Sequence, residues 1–142
     1  MTTISTYSMS NLKTCFNFSD KKTFAVEYKE TGKVIGSIGL EARDSDDLKG
    51  CGREIGYVLS KEYWGQGLMP EAVKAAINWL FNEEHLDFII VGHFDRNARS
   101  KRVVEKCGFQ YVKATKFETR YNTVENSMEY ILYHPERREE RC

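Results

Sequence analysis

One segment limits the fold of this chain more than any other. Residues 54–72, EIGYVLSKEYWGQGLMPEA, pass from an apolar stretch through a glycine-rich turn into a helical pattern. The alternation that ends at Leu59 is typical of a β-strand. The following apolar positions recur at helical spacing: Met69, Ala72, Val73, Ala76 and Leu80. Pro70 and Glu71 suit the first turn of that helix, where a missing N–H is harmless and the helix dipole favours a carboxylate.

The remaining patterns place further strands and one more helix around this unit. FAVEY from Phe24 and VIGSIGLEA from Val34 flank a turn at 30–33 and predict a hairpin. DFIIVGHF is nearly all apolar and predicts a buried strand. A second helix is expected from Asn97, as its cap, to Cys107, followed by the strands FQYVKATKF and SMEYILY. The order of three strands, helix, strand, helix and two strands predicts an α/β (α+β) domain with a mixed sheet.

Length and composition predict a single domain over residues 1–142. Residues 1–22 are polar and aperiodic, and 135–142 form a charged tail. Apolar residues make up 41% of the chain and the formal net charge is zero, which argues against a general nucleic-acid binder. No apolar run reaches the roughly 20 residues that span a membrane, and no signal peptide is visible, so a cytoplasmic location is expected.

Metal-binding patterns are missing from the sequence. The four cysteines contain no CxxC pair, and the three histidines have no ligand spacing. We therefore expect free thiols and no metal.

The glycine-rich turn is a candidate anion site. Gly65 and Gly67 allow close backbone approach, and the first N–H groups of the next helix have no partner within it. A pyrophosphate suits such a turn, although an ordinary tight turn explains the same glycines. The segment is neither a Walker loop, which needs a following Gly-Lys-Ser/Thr, nor a Rossmann fingerprint, which needs a third glycine.

A second segment, NARSKRVVEKCGF from Asn97, makes the signal of the glycine-rich turn specific. With it, the chain resembles the GNAT superfamily of N-acetyltransferases, and most closely the RimJ/RimL-like branch that acetylates ribosomal-protein N-termini. The resemblance covers about residues 24–133. It is carried by Glu54-Ile55-Gly56-Tyr57, Tyr63-Trp64-Gly65-Gln66-Gly67, Glu71-Ala72, Asn97 with Ser100, and Glu105-Lys106-Cys107-Gly108-Phe109.

The resemblance implies a mostly antiparallel sheet with flanking helices and acetyl-CoA as cosubstrate. The cofactor would lie where two parallel strands separate, with its pantetheine arm pairing with the backbone of Tyr57, Val58 and Leu59. Asn97 would hydrogen-bond the pantetheine, with Ser100 near it, and Asn97 could cap the helix as well. The pyrophosphate would sit on amides of the turn and helix start: Gly65, Gln66, Gly67, Leu68 and Met69.

Two side chains are candidates for catalysis. Glu54 would accept the amine proton, directly or through water, although a structural carboxylate satisfied by backbone or by Arg53 is an equal alternative. Val104 stands where many superfamily members have a tyrosine that protonates the leaving thiolate, so Ser100 is the candidate substitute. Backbone N–H groups of the strand would stabilise the oxyanion.

The function implied is acetyl transfer to a protein N-terminal α-amine or a small-molecule amine, by direct attack in a ternary complex. A non-catalytic acyl-CoA-binding module is the alternative, and an oligomeric interaction protein is the third. About 22 residues precede the hairpin, where the family has a strand and two helices that help wall the acceptor site. A natural form with a shortened N-terminus and a chain that lacks its true beginning are both open, and in either case the acceptor pocket is the part that the sequence predicts least. The sequence leaves open whether the chain forms a homodimer.

Overall fold

The computed structural model describes residues 21–43 and 51–136. Within these ranges the chain forms β1 (Lys21–Tyr28), β2 (Lys33–Arg43), β3 (Gly52–Leu59), a short 3-10 turn (Lys61–Tyr63), α1 (Leu68–Glu83), β4 (Phe88–Phe94), α2 (Ala98–Lys106), β5 (Gln110–Glu118) and β6 (Val124–Tyr133). The strands and helices predicted from the sequence are confirmed. The N-terminal segment 1–20, the polar loop 44–50 and the tail from 137 onward lie outside the described residues.

The strands form one sheet in the order β1-β2-β3-β4-β6-β5. Only β3 and β4 pair in parallel among the described strands, and the other four pairings are antiparallel. The sheet is therefore mixed and mostly antiparallel, as the sequence and its resemblance predicted.

The parallel pair separates part-way along its length. Its register runs from Gly52 beside Phe88 to Ile55 beside Val91. Beyond this point β3 stays paired with β2 as far as Leu59, and β4 stays paired with β6 as far as Phe94. A gap therefore opens between two strands that are each held in place on their outer side.

The main core lies between one face of the sheet and the two helices. α1 buries a continuous apolar stripe made of Leu68, Met69, Ala72, Val73, Ala76, Ile77, Leu80 and Phe81. Its partners on the sheet include Phe24, Ile38, Ile55 and Ile89, all at most 2% exposed. Each such side chain stabilises the fold by about 1.5–3 kcal/mol when fully buried. A smaller cluster of Phe88, Ile90 and Ile131 lies on the opposite face.

α2 is fixed at both ends by the residues expected to do so. The Asn97 Oδ1 accepts the Ser100 N–H at 3.1 Å and caps the helix. Gly108 ends it with a φ of 85°. Val103 and Val104 turn into the core, which leaves the N-terminal turn of α2 beside the gap. No helix in the described parts of the chain has both the length and the apolar character needed to cross a bilayer.

Candidate active site

The free edge of β3 forms one wall of the gap. The Ser60 N–H, just after β3, donates to the Ile35 carbonyl oxygen of β2 at 2.8 Å and so points toward β2. Because successive amides of a strand point to opposite sides, the N–H groups of Tyr57 and Leu59 point away from β2 and toward the gap. A chain inserted there would find the hydrogen-bonding pattern of a missing strand.

The glycine turn closes one end of this gap. Gly65 and Gly67 have φ values of 77° and 76°, a region that favours glycine. Gly67 is the N-cap of α1, and none of the described side chains caps this end of the helix. The N–H groups of Leu68 and Met69, which begin the helix, are thus available to an anion. A Cβ placed on either glycine would meet no protein atom within 4 Å, so both face open space.

Trp64 ties the turn to both neighbouring elements. Its indole Nε1 donates to the carbonyl oxygen of Leu59 at 2.9 Å. The Arg99 guanidinium of α2 lies 3.6 Å from the centroid of its ring, a cation–π contact that joins α2 to the turn. The geometry of the turn is therefore fixed by the last residue of β3 and by the first turn of α2.

These elements enclose a cleft of about 600 Å³. This volume lies within the range of small-molecule and cofactor sites. The strand contributes Tyr57, Val58 and Leu59; the turn and helix start contribute Tyr63, Trp64, Gly65, Gly67, Leu68, Met69 and Pro70; and α2 contributes Asn97, Arg99, Ser100, Arg102, Val103 and Lys106. Three of the α2 residues are cationic and none of the lining residues is acidic, so the cleft favours an anionic ligand.

Inside the cleft, two hydroxyl groups meet. The Tyr57 hydroxyl lies 2.9 Å from the Ser100 Oγ and donates toward the Ser100 carbonyl oxygen at 3.4 Å. Burial raises the pKa of Tyr57 to about 12, although the Ser100 hydrogen bond acts in the opposite direction. The phenol therefore stays protonated at neutral pH.

Comparison with known proteins matches this arrangement to one family. The family model described as an acetyltransferase (GNAT) domain covers residues 5–110, which is more than half of the chain. The chain belongs to the GNAT acetyltransferase family.

Individual relatives agree with this placement. The N-acetyltransferase p20 of Bacillus licheniformis, itself uncharacterized, is 32% identical over 87 residues, which are 61% of this chain and 47% of p20. The ribosomal-protein-S5-alanine acetyltransferase of Vibrio fischeri superposes with a TM-score of 0.70 at 26% identity, covering 81% of this chain and 62% of that one. The microcin C7 self-immunity acetyltransferase MccE, solved with acetyl-CoA and AMP, shares the fold with a TM-score of 0.71 at 16% identity, over 90% and 67% of the two chains.

These matches cover only part of the length of the relatives. The chain spans about half, or less, of the length of the curated relatives it matches. The RimJ/RimL-like resemblance predicted from the sequence is confirmed, and so is the GNAT fold.

The GNAT cleft collects most of the residues predicted to bind the cofactor. Nine of the ten line it, and Gln66 is the exception. Its side-chain amide donates to the Glu62 carbonyl oxygen at 3.4 Å. Glu62 is exposed and does not line the cleft either. Of the two catalytic candidates, Ser100 lines the cleft and Glu54 does not.

Glu54 lies on the other face of the sheet. Ile55, Tyr57 and Leu59 pack against the core under the helices, so the intervening residues of β3 face the opposite side. On that side Glu54 stands directly across from Glu41 of β2, one residue before the last parallel pair. The carboxylate is therefore placed at the start of the strand separation, on the face away from α1 and α2.

Sequence reasoning missed the cationic wall of the cleft. Arg99, Arg102 and Lys106 stand at spacings of three and four residues, which puts them on one face of a helix. That spacing was visible in the sequence, and it bordered the Asn97 motif. The contact between Arg99 and Trp64 joins residues 35 apart in sequence, and no local pattern announces such a pair.

The described cysteines form no disulfide, and no metal site is found among the described residues. Cys51 and Cys107 are free thiols, whereas Cys15 and Cys142 lie outside the described residues. The Cys107 Sγ contacts the Pro70 carbonyl oxygen at 3.7 Å, and burial raises the pKa of this thiol to about 11. Among residues 21–43 and 51–136, no three His, Cys, Asp or Glu side chains come together as a metal site requires.

Proposed function

We propose that this chain is an acetyl-CoA-dependent N-acetyltransferase that transfers the acetyl group to an amine by direct attack. The observation that carries the proposal is the cleft at the strand separation. One wall offers strand-edge amides, one end offers a glycine turn at a helix N-terminus, and the other wall is cationic. This combination suits a ligand that has both a peptide-like arm and phosphates.

The residues present fit acetyl-CoA part by part. The edge of β3 at Tyr57 and Leu59 would pair with the amides of the pantetheine arm, with the exposed Val58 beside them. The turn from Gly65 to Met69 would hold the pyrophosphate, with Arg99 and its neighbours on α2 supplying charge. Asn97 and Ser100 would lie along the arm. When bound, acetyl-CoA supplies an acetyl group activated as a thioester.

The proton of the attacking amine goes to Glu54 in this proposal. The cofactor cleft lies on the helix-covered face of the sheet, and the strand separation connects it to the other face. Glu54 borders the separation on that other face, and a Cβ on the neighbouring Gly56 would find open space. An amine that approaches from this side would pass the carboxylate, which can accept its proton directly or through one water.

The acceptor is proposed from the family branch. The Vibrio fischeri structure is that of a ribosomal-protein-S5-alanine acetyltransferase, and the one amine that an alanine residue can present is an N-terminal α-amine. We infer that the acceptor of this chain is a protein N-terminal α-amine or a small-molecule amine. The presence of buried Val104 where many family members have a tyrosine favours a second candidate, a non-catalytic acyl-CoA-binding module.

A product screen separates the two candidates. The purified chain is incubated with acetyl-CoA and a panel of N-terminal peptides and polyamines, and mass spectrometry detects acetylated products. We expect acetylation of at least one class, with the label on the amine and stoichiometric CoA release. Tight binding of acetyl-CoA without product from any amine would instead support the binding module.

A further inference from the structure

An arginine and a tryptophan meet beside the glycine turn of the cleft. The Cζ atom of Arg99, the second residue of α2, lies 3.6 Å from the centroid of the Trp64 ring, and both side chains line the cleft. We propose that Trp64 is a positioning residue that holds the Arg99 guanidinium as a clamp for the diphosphate of CoA. This inference rests on the proposed binding of acetyl-CoA, and it names the side chains that select for the diphosphate.

The kind of contact leaves the guanidinium able to bind an anion. At this distance the guanidinium lies flat on the indole, because an edge-on group would bring its nitrogen atoms too close to the ring carbons. A flat contact holds the positive charge over the face of the ring. The N–H donors lie in the plane of the guanidinium and point past the ring, and such a fork of donors matches the oxygens of a phosphate.

No carboxylate among the described residues neutralises the charge of Arg99. Two other arginines are held by ion pairs, Arg53 with Glu84 at 2.6 Å and Arg96 with Glu125 at 3.0 Å. In those pairs the guanidinium already donates to an anion of the protein. An aromatic partner fixes the position of an arginine without neutralising it, so Arg99 keeps its full charge for a ligand.

The ring of Trp64 is itself anchored. Its Nε1 donates to the Leu59 carbonyl oxygen at 2.9 Å, which ties the indole to the end of β3. The next residue is Gly65, where the turn with open N–H groups begins. The anchored ring therefore places the guanidinium next to the amides that are proposed to bind the diphosphate.

The other two cations of the cleft wall are held less firmly. Arg102 and Lys106 are exposed, and among the described residues neither has an aromatic or ionic partner. A long side chain that is already positioned loses less conformational entropy when the ligand arrives. We therefore expect Arg99 to contribute more to diphosphate binding than either of its neighbours.

The test is a double-mutant cycle on CoA binding, measured by isothermal titration calorimetry at low salt. Arg99→Gln should raise the Kd for CoA roughly tenfold, because it removes a charged hydrogen-bond donor. Trp64→Leu should raise it roughly two- to fivefold, as expected for an exposed cation–π contact. In the Arg99→Gln background, Trp64→Leu should cause no further rise, because it acts through the arginine.

Two further variants make the outcome specific. Trp64→Phe keeps an aromatic face for Arg99 but loses the hydrogen bond to Leu59, so its Kd should stay closer to that of the wild type than to that of Trp64→Leu. Tyr121→Leu is the matched control. The Arg120 Cζ lies 5.3 Å from the Tyr121 ring, outside the cleft lining, and removing this contact should leave the Kd unchanged. Melting curves for each variant verify folding.

Dephospho-CoA identifies which phosphate the clamp holds. This ligand lacks the 3′-phosphate and retains the diphosphate, so Arg99→Gln should weaken its binding by the same factor as that of CoA. In steady-state assays, Arg99→Gln and Trp64→Leu should both raise the KM for acetyl-CoA and leave kcat nearly unchanged, because the diphosphate is not the reacting group.

Each result has a distinct consequence. An unchanged Kd in Trp64→Leu, an additive rise in the double variant, a Trp64→Phe variant as weak as Trp64→Leu, or an equal rise in Tyr121→Leu overturns this inference and leaves acetyl transfer intact. A loss confined to CoA, with dephospho-CoA unaffected, overturns the assignment to the diphosphate. Failure of the wild-type chain to bind CoA overturns both this inference and the proposed function.

Discussion

Replacing Gly67 by alanine separates the role of the turn in binding from its role in folding. Gly67 has a φ of 76°, and a Cβ there would meet no protein atom within 4 Å. The folding cost is therefore conformational strain alone, roughly 1–2 kcal/mol for a left-handed residue that is not glycine. For a domain of this size that corresponds to a fall in Tm of about 3–8 °C.

The effect on ligand binding should be larger. The added methyl group would stand in the open space of the cleft mouth, next to the first N–H groups of α1. We expect the Kd for CoA to rise at least tenfold, about 1.4 kcal/mol, in isothermal titration calorimetry. Gly65→Ala, with a φ of 77°, should behave in the same way.

Gly32→Ala is the matched control for this pair. Gly32 has a φ of 70°, also faces open space, and belongs to the β1–β2 turn rather than to the cleft lining. It should lose the same stability and keep the affinity of the wild type. Should Gly67→Ala bind CoA as tightly as Gly32→Ala does, the pyrophosphate does not sit on this turn and the reasoning is refuted.

Two further substitutions test the base and the sheet. Glu54→Gln should slow turnover by roughly 10²–10⁴-fold, and part of the rate should return at higher pH, where more of the amine is deprotonated. Glu41→Gln, on the same face of the sheet, should not slow turnover. Unchanged turnover of Glu54→Gln in steady-state assays would remove Glu54 from the mechanism. Gly52→Ala should destabilise the fold by about 1–3 kcal/mol in denaturant titrations, because its Cβ would overlap the buried Phe88 ring, and an unchanged midpoint would contradict this packing.

The fold could be predicted because its signals are local. The alternation in β1 to β3, the helical apolar stripe of α1 and the capping residues Asn97 and Gly108 each act within a few positions of one another. The site was predictable only in its backbone parts. The glycine turn and the strand edge lie within the single short segment 54–72. Their role in binding acetyl-CoA was inferred from the resemblance to the GNAT family.

The parts that sequence did not predict depend on contacts between distant residues. Tyr57 and Ser100 are 43 residues apart, and only the placement of α2 against β3 brings their hydroxyls to 2.9 Å. The face on which Glu54 lies follows from strand parity, but its distance from the strand separation depends on where the parallel pairing stops.

Calorimetric titration of the full chain with acetyl-CoA tests the central claim most directly. We predict saturable one-to-one binding together with a rise in Tm that grows with ligand concentration, because a ligand that binds the folded state stabilises it by mass action. Desulfo-CoA should bind comparably, since the proposed contacts hold the arm and the phosphates rather than the acetyl group. The absence of detectable binding at about millimolar acetyl-CoA, where the predicted stabilisation would still be measurable, would contradict the assignment of this cleft.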